Sequence, residues 1–265
     1  MHSISLTVSS LILAFPAWKP HFSFLSDATA NELIVLRWLH FVFGVIWIGL
    51  LYFFNLVGMP AMMQLDPPLR VKIYPVLMSR AMGWFRWSAL VTVIVGMRYF
   101  FSLLSSDARN AGDPSLALRW FGLWVLVWSL TFELIYILQR PAKGLRDNPW
   151  VRAIGIAVVV SAASWIVIAL HGGPSSSNGH LAISVGGGLG LIMLLNTWFV
   201  VWRVQKRLIA FARAAAEQGT AMPPEAANLM RWGFLASRTG FWLSFPMLFF
   251  MGAASHYPFL STVAR

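Results

Sequence analysis

Residues 150–170 read WVRAIGIAVVVSAASWIVIAL, a run of apolar and small side chains carrying one charge, Arg152. About 20 such residues, wound as a helix at about 1.5 Å per residue, cross about 30 Å of hydrocarbon. No water inside a bilayer can satisfy free backbone groups, so a run of this kind must be helical. Five further runs share the pattern: Leu33–Gly58, Gly83–Leu104, Leu116–Leu138, Leu181–Val204 and Trp232–His256. The sequence therefore predicts an all-α polytopic membrane bundle of about six transmembrane helices. Composition agrees, with 58% hydrophobic and 11% charged residues and a mean hydropathy of +0.69. A soluble domain carries about 25% charged residues. That difference excludes a soluble globular domain, a disordered chain and a solenoid. Trp84 and Trp87, near the end of a run, fit an interfacial aromatic belt.

Working outward, residues 1–32 are expected to form an N-terminal membrane-associated segment ahead of a transmembrane domain over 33–260. Its apolar part, Ile4–Trp18, is short, contains Pro16 and lacks the basic start of a signal peptide. Lys and Arg number 20 against 9 Asp and Glu, a net charge of +11. These charges cluster in alternate loops: Arg70, Lys72 and Arg80; then Arg140, Lys143, Arg146 and Arg152; then Arg203, Lys206, Arg207, Arg213 and Arg231. Basic loops mark the cytoplasmic side, so the expectation is a multi-pass protein of the cell inner membrane with a periplasmic C-terminus. The same placement argues against nucleic acid as a partner; the lipid bilayer is the partner that the charges imply. Cysteine is absent, which excludes disulfides, thiolate chemistry, iron–sulfur clusters and covalent c-type haem.

With that orientation, four histidines fall near one membrane face. His40 lies inside the first run, roughly 10 Å deep; His171 ends the fourth, His180 opens the fifth and His256 closes the sixth. Imidazoles at one depth on different helices suit haem b, whose two axial positions take nitrogen ligands. His40 and His256 are the expected iron ligands, with His171 and His180 as further cofactor-binding candidates flanking a polar loop in which they could equally be solvated. Gly44, one turn after His40, is expected to leave room for a flat macrocycle. Gly186, Gly187, Gly188 and Gly190 permit close approach of either a helix or a cofactor.

Toward the other face, Glu133 is an acidic residue deep within a run, and a carboxylate there needs a cation or a proton. Arg86 and Arg238 lie at comparable depth, so Glu133 is expected to pair with one of them, as a catalytic group or as a packing clamp. Arg98 is expected to snorkel or to face an anionic group such as a haem propionate.

Arg37-Trp38-Leu39-His40, Ile46-Trp47-Ile48-Gly49, Tyr52-Phe53, Trp84-Phe85-Arg86-Trp87, Asn196-Thr197-Trp198-Phe199, Gln205-Lys206, Ser244-Phe245-Pro246-Met247 and Ser255-His256-Tyr257-Pro258 follow one another in order. This set resembles the membrane domain of the bacterial membrane-bound urate oxidases. The resemblance implies an oxidoreductase that takes urate toward 5-hydroxyisourate and releases electrons on the periplasmic side to a cytochrome c domain. Here the chain ends at Arg265, so the acceptor is expected to be a separate cytochrome c or respiratory partner, and the substrate a small anion. Two other functions compete: a non-catalytic subunit of a larger electron-transfer assembly, and a transporter built on Glu133. The transporter lacks the paired broken helices and repeats usual in such proteins.

Overall fold

The computed structural model describes residues 25–141 and 147–260, and six helices account for nearly all of them. They are α1 (Ala28–Gln64), α2 (Pro67–Asn110), α3 (Leu116–Gln139), α4 (Pro149–His171), α5 (Asn178–Gln218) and α6 (Glu225–His256). The described residues contain no strand. Ile4–Trp18, Lys143 and Arg146 lie outside the described residues.

Residues up to Val35 form one compact unit and those from Leu36 onward a second, larger one. In the first, Asp27 caps the start of α1 by accepting from the Thr29 amide (2.8 Å), and Asn31 bonds the Leu25 carbonyl (2.8 Å). Helix α1 thus begins several residues before the expected Leu33. The remainder concerns the larger unit.

Helix boundaries follow local chemistry. Pro67 and Pro149 open α2 and α4, where the missing N–H has no helical partner to lose. Asn148 accepts from the Trp150 amide (2.9 Å) and Ser177 from the His180 amide (3.2 Å), capping α4 and α5. Gly219, at φ +66°, ends α5 in the left-handed conformation. The helix expected over Leu69–Arg80 is continuous with the second span despite Pro75, and the cytoplasmic extension expected at Arg203–Ala216 is the end of α5. Two π-helical turns, Phe53–Gly58 in α1 and Thr197–Val201 in α5, break the α-helical register.

Five helices, α1 to α5, are long and apolar enough to cross a membrane. The expected sixth, α6, has 32 residues but falls outside that group, because Ser237, Arg238, Thr239, Ser244 and Pro246 dilute its apolar character. Helix α5 is the axis: 72% of its apolar window is buried, against 17–33% in the other four. Its glycines admit the neighbours. A Cβ on Gly186 would lie 3.0–3.3 Å from Phe250, Met247 and Met251 of α6, and one on Gly188 only 1.9 Å from the Trp128 ring of α3. Outward, large apolar side chains stand bare, including Trp150 (76% exposed), Trp165 (74%) and Val45 (73%). A bundle with a polar-capable core and an apolar exterior is the arrangement that lipid rather than water stabilises. The chain is a multi-pass membrane protein.

Candidate functional site

At one end of the bundle, α2 finishes, α4 stops at His171 and α5 starts just after a short loop, so residues distant in sequence meet. His171 Nδ1 lies 3.0 Å from His180 Nε2, and His180 Nδ1 lies 3.0 Å from Asp107 Oδ2. The Ser177 amide and hydroxyl donate to the same carboxylate oxygen at 2.8 and 2.9 Å. The Ser176 hydroxyl donates to the His171 carbonyl (2.6 Å), fixing the loop back onto α4. All three titratable residues are enclosed: His180 is 0% exposed, His171 1% and Asp107 4%. Trp120 of α3 covers both rings, its centroid 4.9 Å from that of His180, and Phe100 of α2 closes another side.

The partners fix the tautomers. A carboxylate that already accepts two serine donors accepts a third from His180, so His180 carries its proton on Nδ1. Its Nε2 is then an acceptor, and His171 must donate from Nδ1. This leaves the lone pair on His171 Nε2, a buried atom without a hydrogen-bond partner. The possibility that His171 and His180 are solvated is thereby replaced: both are buried. His180 has both ring nitrogens engaged, so axial ligation by it requires breaking a bond to Asp107 or His171. Asp107 was not anticipated as a site residue, since Arg109 nearby made it read as a balanced loop charge.

His40 has a different setting. Its Nδ1 is 2.9 Å from the Thr92 carbonyl of α2, which can only accept, so the proton sits on Nδ1 and the Nε2 lone pair is free. The ring lies against Gly96, where a Cβ would approach Cε1 and Nδ1 to 2.9 Å. Gly44 does not open a slot: its face meets Thr92, whose Cγ2 would be 3.7 Å from an added Cβ. His256, in the last turn of α6, is exposed. Histidine with one nitrogen fixed by a backbone carbonyl and the other free is the usual geometry of a metal-ligating imidazole. His40 fits a haem ligand on that test, and His256 is open to serve as one. Among the described residues no group of three or more His, Asp or Glu is arranged to hold a metal ion directly.

The structure separates Glu133 from the arginines expected to pair with it. Glu133 is exposed and lines an open groove of about 490 Å³ with Ser129, Tyr136, Phe199 and Arg203. Arg86 is turned instead into an indole cage, its guanidinium 3.9 Å from the centre of the Trp202 ring, with Trp87 and Trp198 at 5.5 and 5.6 Å. Trp198 Nε1 also donates to the Arg86 carbonyl (3.1 Å). Arg238 lies over Phe234 and Phe241 of its own helix. Depth along the helices matched, but the side chains leave them in different directions. Arg98 is exposed and bonds the Ser102 hydroxyl one turn on. The glycines of α5 serve helix packing, with Gly187 against Trp124 (3.4 Å) and Gly190 against Met247 (3.7 Å).

One more feature lies between α1, α2, α5 and α6. Trp47 Nε1 and Asn196 Oδ1, both buried and without protein partners, line a cavity of about 10 Å³ next to the π turn of α5. That is about the volume one water needs.

No curated protein and no solved structure matches the chain. A family model does, that of the urate oxidase N-terminal region, over residues 67–264. The match begins with α2, so it contains Arg86, Arg98, Asp107, Glu133, His171, His180, Arg238 and His256, while His40 precedes it. Covering well over half of the chain, it shows that the protein belongs to the urate oxidase N-terminal family.

Proposed function

We propose that this chain is the redox-active membrane domain of a urate-oxidising system in a bacterial inner membrane, with its C-terminus in the periplasm. Haem b, held by His40 and by His256 as the second candidate ligand, would supply one-electron acceptance and pass electrons to a separate cytochrome c. The observation that carries this reading is the His40 ring: Nδ1 bound to the Thr92 carbonyl, Nε2 free, inside a membrane helix where an unpaired imidazole is costly. Thr92 sets the tautomer and Gly96 gives the ring its seat. Arg86 with Trp87, Trp198 and Trp202 combines a cation with flat aromatic faces, the chemistry that a planar purine anion calls for.

Oxidation of urate with water to 5-hydroxyisourate releases two electrons and two protons. The test is anaerobic addition of urate to the purified protein, followed by absorption. Reduction of a haem chromophore by urate supports the proposal. A haem protein that urate leaves oxidised removes the substrate, and a folded, colourless preparation that co-purifies with stoichiometric partners replaces the proposal by a non-catalytic subunit.

A further inference from the structure

Oxidation of a purine anion sheds protons, and the buried Asp107–His180–His171 chain is built to take one. We propose that these residues form a proton relay, with His171 Nε2 as the atom that accepts the proton and Asp107 and His180 as positioning residues. The relay rests on the redox reading only for its task, which is to receive a proton released during turnover.

The argument is one of charge and direction. Asp107 Oδ2 accepts from the Ser177 amide, the Ser177 hydroxyl and His180 Nδ1, so it has no place for a proton of its own and stays anionic. Both imidazoles are then neutral and oriented the same way, and the enclosed triad has a net charge of −1. A buried, uncompensated negative charge is unfavourable, and one added proton cancels it. The only triad nitrogen with a free lone pair is His171 Nε2. A proton bound there forms one N–H bond. The existing Nδ1 proton then shifts along a 3.0 Å hydrogen bond to His180 Nε2, and the His180 Nδ1 proton moves along a second 3.0 Å bond toward Asp107. No electron moves in this step and no other group is consumed.

The neighbours leave this charge to the triad. From α2 the titratable group facing it is Asp107, from α4 His171 and from α5 His180; α3 contributes the Trp120 ring. Arg119 of α3 is committed to Asp113 on the exposed surface (2.9 Å). Helix α6 offers the Ala253 and Ala254 carbonyls, which Asn178 occupies at 3.1 and 3.0 Å. A clamp holding α2, α4 and α5 together would need the same hydrogen bonds. It would not need the unpartnered nitrogen at the end.

The test uses the full chain in lipid nanodiscs with ¹⁵N-labelled histidine. At neutral pH the expected spectrum has His171 and His180 both protonated on Nδ1 and bare on Nε2. His171 protonated on Nε2 with Nδ1 as acceptor overturns the relay. In turnover, Asp107→Asn keeps a carbonyl acceptor for His180 but removes the charge. The expected result is a urate-dependent rate lower by about 10² or more, the usual contribution of a positioned proton acceptor, with the haem spectrum unchanged. The acid limb of its pH–rate profile should also move to lower pH, because a base without its anionic partner holds a proton less well. An unchanged rate and profile refute the role. If Asp107→Asn does not fold, His171→Gln, which keeps the Asp107–His180 pair, carries the same rate comparison. If the wild-type protein does not oxidise urate, the redox reading fails separately, and the tautomer spectrum alone decides whether the relay is assembled.

Discussion

Gly96→Ala separates the seat of His40 from the stability of the bundle. An added Cβ would lie 2.9 Å from both Cε1 and Nδ1 of His40, where ordinary contacts begin near 3.4 Å. The obstacle is the far end of one side chain and not backbone, so the ring is what yields, by about 0.5 Å or more. The Nδ1 to Thr92 distance then grows from 2.9 Å to about 3.4 Å, beyond the usual N–H···O range of about 2.7–3.2 Å. Losing that bond costs about 0.5–1.5 kcal/mol. Replacing Gly by Ala in a helix interior returns about 0.8–1.0 kcal/mol. The two nearly cancel, so thermal unfolding followed by tryptophan fluorescence should shift by no more than a few degrees. Haem affinity should fall much more, by about 10–100-fold, as is usual when the hydrogen bond behind a metal-bound imidazole is removed. Soret titration of the haem-depleted protein with haem reads that loss. A variant that binds haem as tightly as wild type, with unaltered melting, would refute the claim that Gly96 and Thr92 position this ring.

Gly188→Ala should behave in the opposite way: its Cβ meets the Trp128 indole at 1.9 Å, and that ring is fully buried with its Nε1 bonded to Ser184. A loss of about 3 kcal/mol or more in unfolding free energy is expected, checked against Gly122→Ala in α3, where nothing lies within 4 Å and melting should be unchanged or higher. Trp202→Leu removes the ring directly over Arg86 and should cost up to about 2 kcal/mol in cation–π attraction beyond the lost packing, read by the same unfolding assay. The Asp147 carboxyl, in the loop before α4, is held below its ordinary value of 3.8, first by the hydrogen bond from Arg231 and then by the charges of Arg231 and Arg152. Its contribution is present above that ordinary value and is lost as pH falls through the depressed one. Arg231→Gln should therefore raise the Asp147 titration midpoint toward 3.8 and weaken the acid end of the stability profile, measured by carboxylate NMR and acid unfolding.

The membrane architecture was legible in runs such as Trp150–Leu170 because apolar length reports on the bilayer directly. Helix α6 was legible as a helix but less so as a span, since its Arg238 and hydroxyl side chains carry a mixed signal. The two π turns left no pattern in the sequence, as they depend on packing around Asn55 and Asn196 rather than on local propensity. Depth could be read from residue number; direction around the helix could not. That is why Glu133, Arg86 and Arg238 looked like partners, while in the structure one lines a groove and the others lie against aromatic rings. Asp107 escaped notice for a related reason. Its role exists only because α2, α4 and α5 end together, bringing together residues 107, 171 and 180. Cap chemistry was a usable signal there: Ser177 is the N-cap of α5, and its hydroxyl also serves the carboxylate.

The most direct measurement is the dithionite-reduced minus oxidised absorption spectrum of the purified full chain, recorded for wild type and for His40→Ala at equal folded protein. The proposed haem b site gives a Soret shift with α and β bands in wild type, and their loss in the variant. A wild-type spectrum without those bands, or a His40→Ala spectrum that keeps them, contradicts it.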